Sequence, residues 1–272
     1  MSLWLPAGVE APAVVEPPRR ERVAARAARL AFFAAGKVLD LLYPPSCLSC
    51  RAAVGAPRSL CPACWTQVRF IERPYCERLG TPFAQDLGPG LLSPEAMADP
   101  PVWNRARAVC AFDEGPARRI VYRFKYRDRM DVARPAGLWM ARAGAELLEE
   151  ADLLVPVPLH RTRFAARRFN QAMALAESVS RACGVPADPA ALERVKPTPP
   201  QVGLSRVQRA VNLQGAFRVP DEAKPRVSGA RVVLVDDVLT TGATTNAAAR
   251  VLLRAGAANV DVLTFARVVL SG

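Results

Sequence analysis

Four apolar residues in a row, Val232, Val233, Leu234 and Val235, run without polar interruption into Asp236 and Asp237. The small, hydroxyl-rich stretch Thr240, Thr241, Gly242, Ala243 and Thr244 follows. An unbroken β-branched and Leu run predicts a parallel strand buried on both faces, and ligands of open α/β sheets bind at the carboxyl ends of such strands. Residues 152–157 and 260–267 repeat the pattern, and residues 105–112 supply an edge or hood strand. Helical patterns cover about 170–182 and 246–253. The sum is α/β: a doubly wound parallel sheet with main strands near 152–157, 231–236 and 260–267.

The polar residues that end the first run suit a phosphorylated sugar. Backbone N–H groups at a helix start, together with the hydroxyls of Thr240, Thr241 and Thr244, converge on an anion, and Gly242 allows close backbone approach. A Walker A loop needs GxxxxGK[ST] and a dinucleotide fingerprint needs GxGxxG before its acid; here the acids precede a loop with one Gly and no Lys. A single phosphate therefore fits better than a triphosphate. Asp236 and Asp237 are placed to accept hydrogen bonds from ribose hydroxyls or to help hold Mg²⁺. The plainer alternative is a solvated acidic turn before a capped helix, but adjacent like charges at a strand end are costly without a ligand or metal.

Cys47, Cys50, Cys61 and Cys64 form two CxxC pairs ten residues apart. Four thiolates at this spacing suit tetrahedral Zn²⁺, and a short loop-rich segment has little else to hold it folded. A disulfide pair is the alternative, and no secretion signal accompanies it. Cys110 and Cys183 read as buried packing residues.

With 272 residues, 51% apolar content and no apolar run approaching the ~20 residues of a membrane span, the chain is expected to be a soluble cytoplasmic protein with one sizeable core and a small second module. Residues 19–42 have an amphipathic stripe at Leu30, Ala34, Val38 and Leu41, and the readings left open are a packing helix, disorder or a targeting segment. The net charge is +12, and residues 151–220 hold ten Lys and Arg against four Asp and Glu, half of that excess. His160, Arg161 and Arg163 follow the strand at 152–157, and guanidinium groups there suit anionic oxygens. His160 is the single histidine, read either as a ligand contact or as an incidental surface residue.

Taken together, these pieces resemble the ComF (ComFC/GntX-like) branch of the type I phosphoribosyltransferase superfamily. The resemblance spans roughly residues 40–270. It rests on the run at 232–244 and on Leu42, Tyr43, Pro44, Pro45, Ser46 and Cys47. It rests further on Phe124, Lys125 and Tyr126 with Asp128, on residues 155–160, and on Phe169, Asn170 and Gln171. A final stretch carries Thr198, Gln201, Leu204, Arg209 and Asn212.

The resemblance implies a type I phosphoribosyltransferase-like core at 101–272, a four-cysteine zinc module and linker at 44–100, and an extension at 1–43. It implies binding of phosphoribosyl pyrophosphate, or ribose 5-phosphate, with Mg²⁺, and transfer of ribose 5-phosphate to a nitrogen nucleophile. The loop at His160, Arg161 and Arg163 would hold pyrophosphate. Lys196, Thr198, Gln201, Arg206 and Arg209 would close over the ligand. The family pattern usually continues with a further CxxCG; Cys76 here has Leu79 before Gly80 instead of a second sulfur, so Cys76 reads as an idle remnant. Lys125 is divided between a site role and an exposed cation. A non-catalytic alternative is binding of single-stranded DNA or competence proteins through the basic stretch, Phe124 and Tyr126.

Overall fold

The apolar run at 232–235 is buried along its whole length, and alternate side chains enter two separate cores. In the computed structural model of the protein, residues 44–86, 88, 90–126, 130–160, 169–196 and 212–269 are described. In chain order the strands are β1 (Ala106–Ala111), β2 (Leu153–Pro156), β3 (Glu193–Arg194), β4 (Phe217–Arg218), β5 (Arg231–Leu239) and β6 (Asn259–Arg267). Four of them form one parallel sheet in the order β1-β6-β5-β2, and β3 pairs with β4 antiparallel. The longer helices are α1 (Pro116–Tyr126), α2 (Ala133–Ala143), α3 (Gln171–Cys183) and α4 (Ala243–Arg254).

Val232 and Leu234 pack with Val155, Phe217, Leu252 and Val262 on the α4 face. Val233 and Val235 pack with Leu154, Met140, Leu175 and Phe265 on the face covered by α1, α2 and α3. Burial on both faces removes any advantage from a polar residue in the strand, which is why its sequence does not alternate. The Asn170 side chain accepts the Ala172 N–H (3.1 Å) to start α3, and Gly184 in the left-handed region ends it. Gly137 permits α2 to lie against α3, since a Cβ there would stand 2.3 Å from the Ser178 hydroxyl.

The expected strands and helices are present, with three corrections. β5 continues two residues beyond the acid pair to Leu239, because β6 goes on pairing with it as far as Leu239 and Arg267. α4 starts at Ala243, three residues earlier than its apolar pattern, because Gly242 sets the helix start and the first turn is made of small polar residues. Cys183, expected to be buried, is exposed, since it is the last residue of α3 and the residues around it, 181–184, are exposed too; Cys110 is buried as expected. The extension at 1–43 lies outside the described residues. Among the described residues, no helix is long and apolar enough to cross a membrane.

Ser46–Gly272 forms one compact unit. The cysteine segment is joined to the core by an aromatic row, in which Trp65 and Phe70 (4.8 Å between centroids) meet Trp139 of α2, and Trp139 stacks at 6.3 Å on Phe265 of β6. From α1, Arg119 donates to the Ser49 hydroxyl (2.9 Å) and Arg123 to the Leu48 carbonyl (3.3 Å).

Candidate functional site

β2 stops at Pro156, opposite Val235, and so leaves one side of β5 open where the two carboxylates begin. Strand alternation sends the two acids to opposite faces of the sheet. Asp237 is buried on the face of α1, where Lys125 Nζ lies 2.9 Å from its Oδ2. Asp236 accepts the Asp237 N–H (2.8 Å). Burial and the Asp237 charge push its carboxyl up to about 7, against the pull of Lys125 and Arg194. Among the described residues, Lys125 and Arg194 supply positive charge to the pair without offsetting the burial of Asp236. A divalent cation, or hydroxyl donors from a sugar, fits that deficit, so Asp236 and Asp237 are the residues suited to hold Mg²⁺ with a ligand.

Past Leu239 the chain turns through Thr240, Thr241 and Gly242 into α4. Gly242 has φ of +75°, which favours glycine; a Cβ would meet only ordinary contacts at 3.8 Å, so the requirement is conformational and not spatial. The first turn is pinned from outside the helix. Trp103 Nε1 donates to the Thr245 hydroxyl (3.2 Å), which donates to the Gly242 carbonyl (3.0 Å), and the Val102 N–H donates to the Asn246 side chain (2.9 Å). The opening N–H groups of a helix have no intrahelical acceptor, and here they face an exposed Thr240 and half-buried Thr241, Ala243 and Thr244.

The structure therefore brings Asp236, Asp237, Thr240, Thr241, Gly242, Ala243 and Thr244 to one strand–loop–helix corner and adds Lys125 from α1. His160, half-buried, follows β2. Arg161, Arg163, Gln201, Arg206 and Arg209, with Thr198, lie outside the described residues; Lys196 is exposed just after β3. Sequence reasoning missed Arg194, a buried residue of β3 held over the Phe217 ring (5.4 Å), whose charge acts on Asp236. The signal available was one Arg in a two-residue strand, too short for a periodic pattern. Phe124 is buried against Phe169 (5.7 Å between centroids), which corrects its assignment as a base-stacking surface. The side chain of Tyr126 lies outside the described residues.

The second centre is formed by Cys47, Cys50, Cys61 and Cys64, whose sulfur atoms all lie within 4.8 Å of one another, with Cys50 and Cys61 at 3.6 Å. A Zn–S bond of about 2.3 Å gives tetrahedral S–S separations near ~3.8 Å, so the donor set fits zinc. All four cysteines are free, against the disulfide alternative. Burial opposes ionisation of Cys47, but backbone N–H groups of Cys50, Cys61 and Ser49 outweigh it and hold the thiol down at about 6. Such N–H···S contacts favour the thiolate that a metal requires.

Cys76 heads a copy of the same backbone. Cys47 N–H donates to the Ala52 carbonyl and Cys76 N–H to Thr81, both at 2.8 Å; Leu48 pairs with Ser59 as Glu77 pairs with Leu91. The bridge Ser46↔Ala53 has its counterpart in Tyr75↔Pro82. Arg51 and Gly80 share a positive φ. Cys61 and Ser93 are extended residues before a Pro-initiated helical turn. By this correspondence Leu79, Ser93 and Ala96 stand where Cys50, Cys61 and Cys64 stand in the first knuckle. Cys76 is fully buried and accepts N–H groups from Leu79 (3.4 Å) and Ser93 (3.2 Å). The second ribbon has kept its fold and lost its ligand set. Arg107, buried and paired with Glu77 and Glu146 beneath the Tyr75 ring, clamps it to β1 instead.

Residues 38–96 match the family model of a double zinc ribbon domain, and residues 170–268 that of a phosphoribosyl transferase domain. Competence protein F of Haemophilus influenzae is 31% identical over 230 residues, covering 81% of this chain and 96% of that protein. DNA utilization protein YhgH of Salmonella typhimurium is 32% identical over 234 residues, covering 84% and 99%. Competence protein ComFC of Bacillus subtilis is 36% identical over 116 residues, covering 42% and 44%. The sheet, the acid-and-loop corner and the four-thiol cluster define a phosphoribosyl transferase-type protein with a zinc ribbon module. The chain belongs to the ComF family.

Proposed function

We propose that the β5–α4 corner binds phosphoribosyl pyrophosphate with Mg²⁺ and that the protein transfers ribose 5-phosphate to a nitrogen nucleophile. The supporting observation is the adjacent carboxylate pair, Asp237 buried and Asp236 half-buried, beside a helix-start loop pinned by Trp103 and Asn246. Thr240, Thr241, Gly242, Ala243 and Thr244 receive the 5′-phosphate. Asp236 and Asp237 accept hydrogen bonds from the ribose hydroxyls and help hold Mg²⁺. His160, Arg161 and Arg163 receive pyrophosphate, and Lys196, Gln201, Arg206 and Arg209 close over the ligand to exclude water. In the transfer, the bond from C1 of ribose to the pyrophosphate oxygen breaks with its electron pair. That pair leaves on the pyrophosphate oxygen, the lone pair of the acceptor nitrogen bonds to C1, and the proton of that nitrogen passes to the departing pyrophosphate. Magnesium supplies charge neutralisation on the departing pyrophosphate. Release of pyrophosphate from phosphoribosyl pyrophosphate, dependent on both Mg²⁺ and an added nitrogen base, is the expected assay result; no release across purine and pyrimidine bases contradicts transfer.

The names of the relatives favour a second reading, in which the protein acts in DNA utilisation or competence without turning over a substrate. The same site then serves as a ligand sensor, and the basic stretch at 151–220 contacts single-stranded DNA or a competence protein. Single-strand binding by fluorescence polarisation that persists under saturating phosphoribosyl pyrophosphate, with no pyrophosphate release, favours this reading over the first.

A further inference from the structure

One helix touches both centres. The buried residues Ala117, Ile120, Val121 and Phe124 of α1 share a core with Leu48, which stands inside the first CxxC pair of the zinc knuckle. At the knuckle Arg119 donates from Nε to the hydroxyl of fully buried Ser49 (2.9 Å), and its Nη2 lies 3.9 Å from Cys64 Sγ. The Ser49 N–H in turn donates to Cys47 Sγ (3.4 Å), and Arg123 donates to the Leu48 carbonyl (3.3 Å). Cys64 is thus reached from α1 directly and Cys47 through one intervening residue. Further along the same helix, Lys125 Nζ meets Asp237 Oδ2 at 2.9 Å. Arg119 and Lys125 are less than two turns apart, about 9 Å along a helix axis.

Four thiolates outweigh the charge of one Zn²⁺, so the loaded centre is a fixed anion beside the Arg119 guanidinium. Without metal the thiols take up protons, and the knuckle loses both its geometry and most of that charge. Arg119 is exposed and water screens it, so the larger share of the connection falls to the half-buried Arg123 and the enclosed Leu48. A loaded knuckle holds α1 at these residues; an empty one releases them. The consequence at the other end is the position of the Lys125 ammonium, which fixes the Asp237 carboxylate in one orientation before a ligand arrives. Gln171 Nε2 donates to the Phe124 carbonyl (3.5 Å) and the Phe124 ring packs on Phe169 (5.7 Å) whether or not metal is bound, so the response is graded and not a loss of the site.

We propose that α1 makes the zinc knuckle a regulator of the β5–α4 corner: metal on Cys47, Cys50, Cys61 and Cys64 raises the affinity of that corner for its sugar phosphate, with Arg119 and Arg123 as positioning residues that act through Lys125. The change in affinity rests on the phosphoribosyl reading; the mechanical link from knuckle to Asp237 does not. Coupling of two binding equilibria is reciprocal, so the ligand tightens zinc by the same factor.

Hydrogen exchange on the full chain tests the link without any ligand. Stripping zinc, or replacing Arg119→Gln with Arg123→Gln on zinc-loaded protein, is expected to raise exchange in α1 and at Asp237 and the loop after it, and to leave residues 175–183 of α3 as in the wild type. An increase confined to residues 46–70, or one spread evenly over the sheet, overturns the link. The double variant keeps all four thiols, so it answers for the stripped chain if metal loss disturbs more than the knuckle.

The second arm is affinity for phosphoribosyl pyrophosphate with Mg²⁺, measured after the chelator has been dialysed away. Zinc-loaded wild type is expected to bind about fivefold or more tighter than the stripped chain, and the zinc-loaded double variant to lose most of that advantage. Arg119→Lys with Arg123→Lys, which keeps both charges, is expected to restore part of it. Arg118→Ala, whose side chain pairs with Glu114 on the outer surface, should change nothing. Saturating ligand should strengthen zinc against a competing zinc-selective chromophore by a matching factor in the wild type and not in the double Gln variant. Affinity that is equal or higher without zinc, a double Gln variant that binds as the wild type does, or zinc binding indifferent to the ligand overturns the inference. No binding by zinc-loaded wild type counts against the phosphoribosyl reading alone, and the exchange arm then decides the link.

Discussion

Lys125 and Asp237 form a 2.9 Å ion pair between α1 and β5 that leaves the adjacent Asp236 without a full counter-charge. Both partners are mostly buried, so removing one exposes the other to an uncompensated desolvation cost. Lys125→Met is expected to destabilise the fold by about 1–3 kcal/mol, below the ~3–5 kcal/mol of a fully buried pair. Adding Asp237→Asn to that background should recover part of the loss, and chemical denaturation of the four proteins in the cycle measures it.

Asp236→Asn with Asp237→Asn is expected to keep the fold and weaken sugar-phosphate binding by several kcal/mol, since hydrogen bonds to charged acceptors contribute about 1.5–3 kcal/mol each. Calorimetry on a double variant with a native circular dichroism spectrum reads this directly. Unchanged affinity removes the two carboxylates from the site.

Stability should depend on pH through Asp236. Its carboxyl is raised to about 7 in the fold from an ordinary value of 3.8, so between those values the folded chain holds a proton that the unfolded chain does not. Unfolding then releases a proton, and stability falls as pH rises from about 4 to 7, by on the order of 4 kcal/mol at most, and is flat above. Asp236→Asn should flatten that slope and stabilise the protein at about pH 8. Urea denaturation across the pH range measures both slopes; equal slopes in wild type and variant contradict the burial argument.

The four-thiol cluster should bind one Zn²⁺ per chain. Cys76→Ser is expected to leave that stoichiometry unchanged, because its knuckle has no second sulfur. Replacing Cys47, Cys50, Cys61 or Cys64 should lose the metal and loosen residues 46–70, which hydrogen exchange would localise. Elemental analysis of reduced protein finding no zinc, or metal lost with Cys76→Ser alone, contradicts the assignment.

The parts of this fold that were legible in the sequence are those whose signal is local. Residues 232–235 announce a doubly covered strand because burial on two faces leaves only apolar residues, and Cys47, Cys50, Cys61 and Cys64 announce a metal knuckle because four sulfurs have little other use at that spacing. Of the second knuckle only Cys76 was legible, as a remnant; that the backbone around it repeats the first knuckle was not, because that likeness resides in backbone hydrogen bonds and in a positive φ shared by Arg51 and Gly80. Arg194 was equally silent. It is a single residue whose meaning comes from the Asp236 that tertiary packing brings within reach of its charge.

The most direct measurement of the central claim is a calorimetric titration of the wild-type chain with phosphoribosyl pyrophosphate, with and without Mg²⁺, beside ribose 5-phosphate. The account predicts one site per chain, tighter for phosphoribosyl pyrophosphate when Mg²⁺ is present, weaker for ribose 5-phosphate, and weakened for both in the double Asn variant. No heat from either ligand on folded, zinc-loaded protein, or binding indifferent to Asp236 and Asp237, would contradict it.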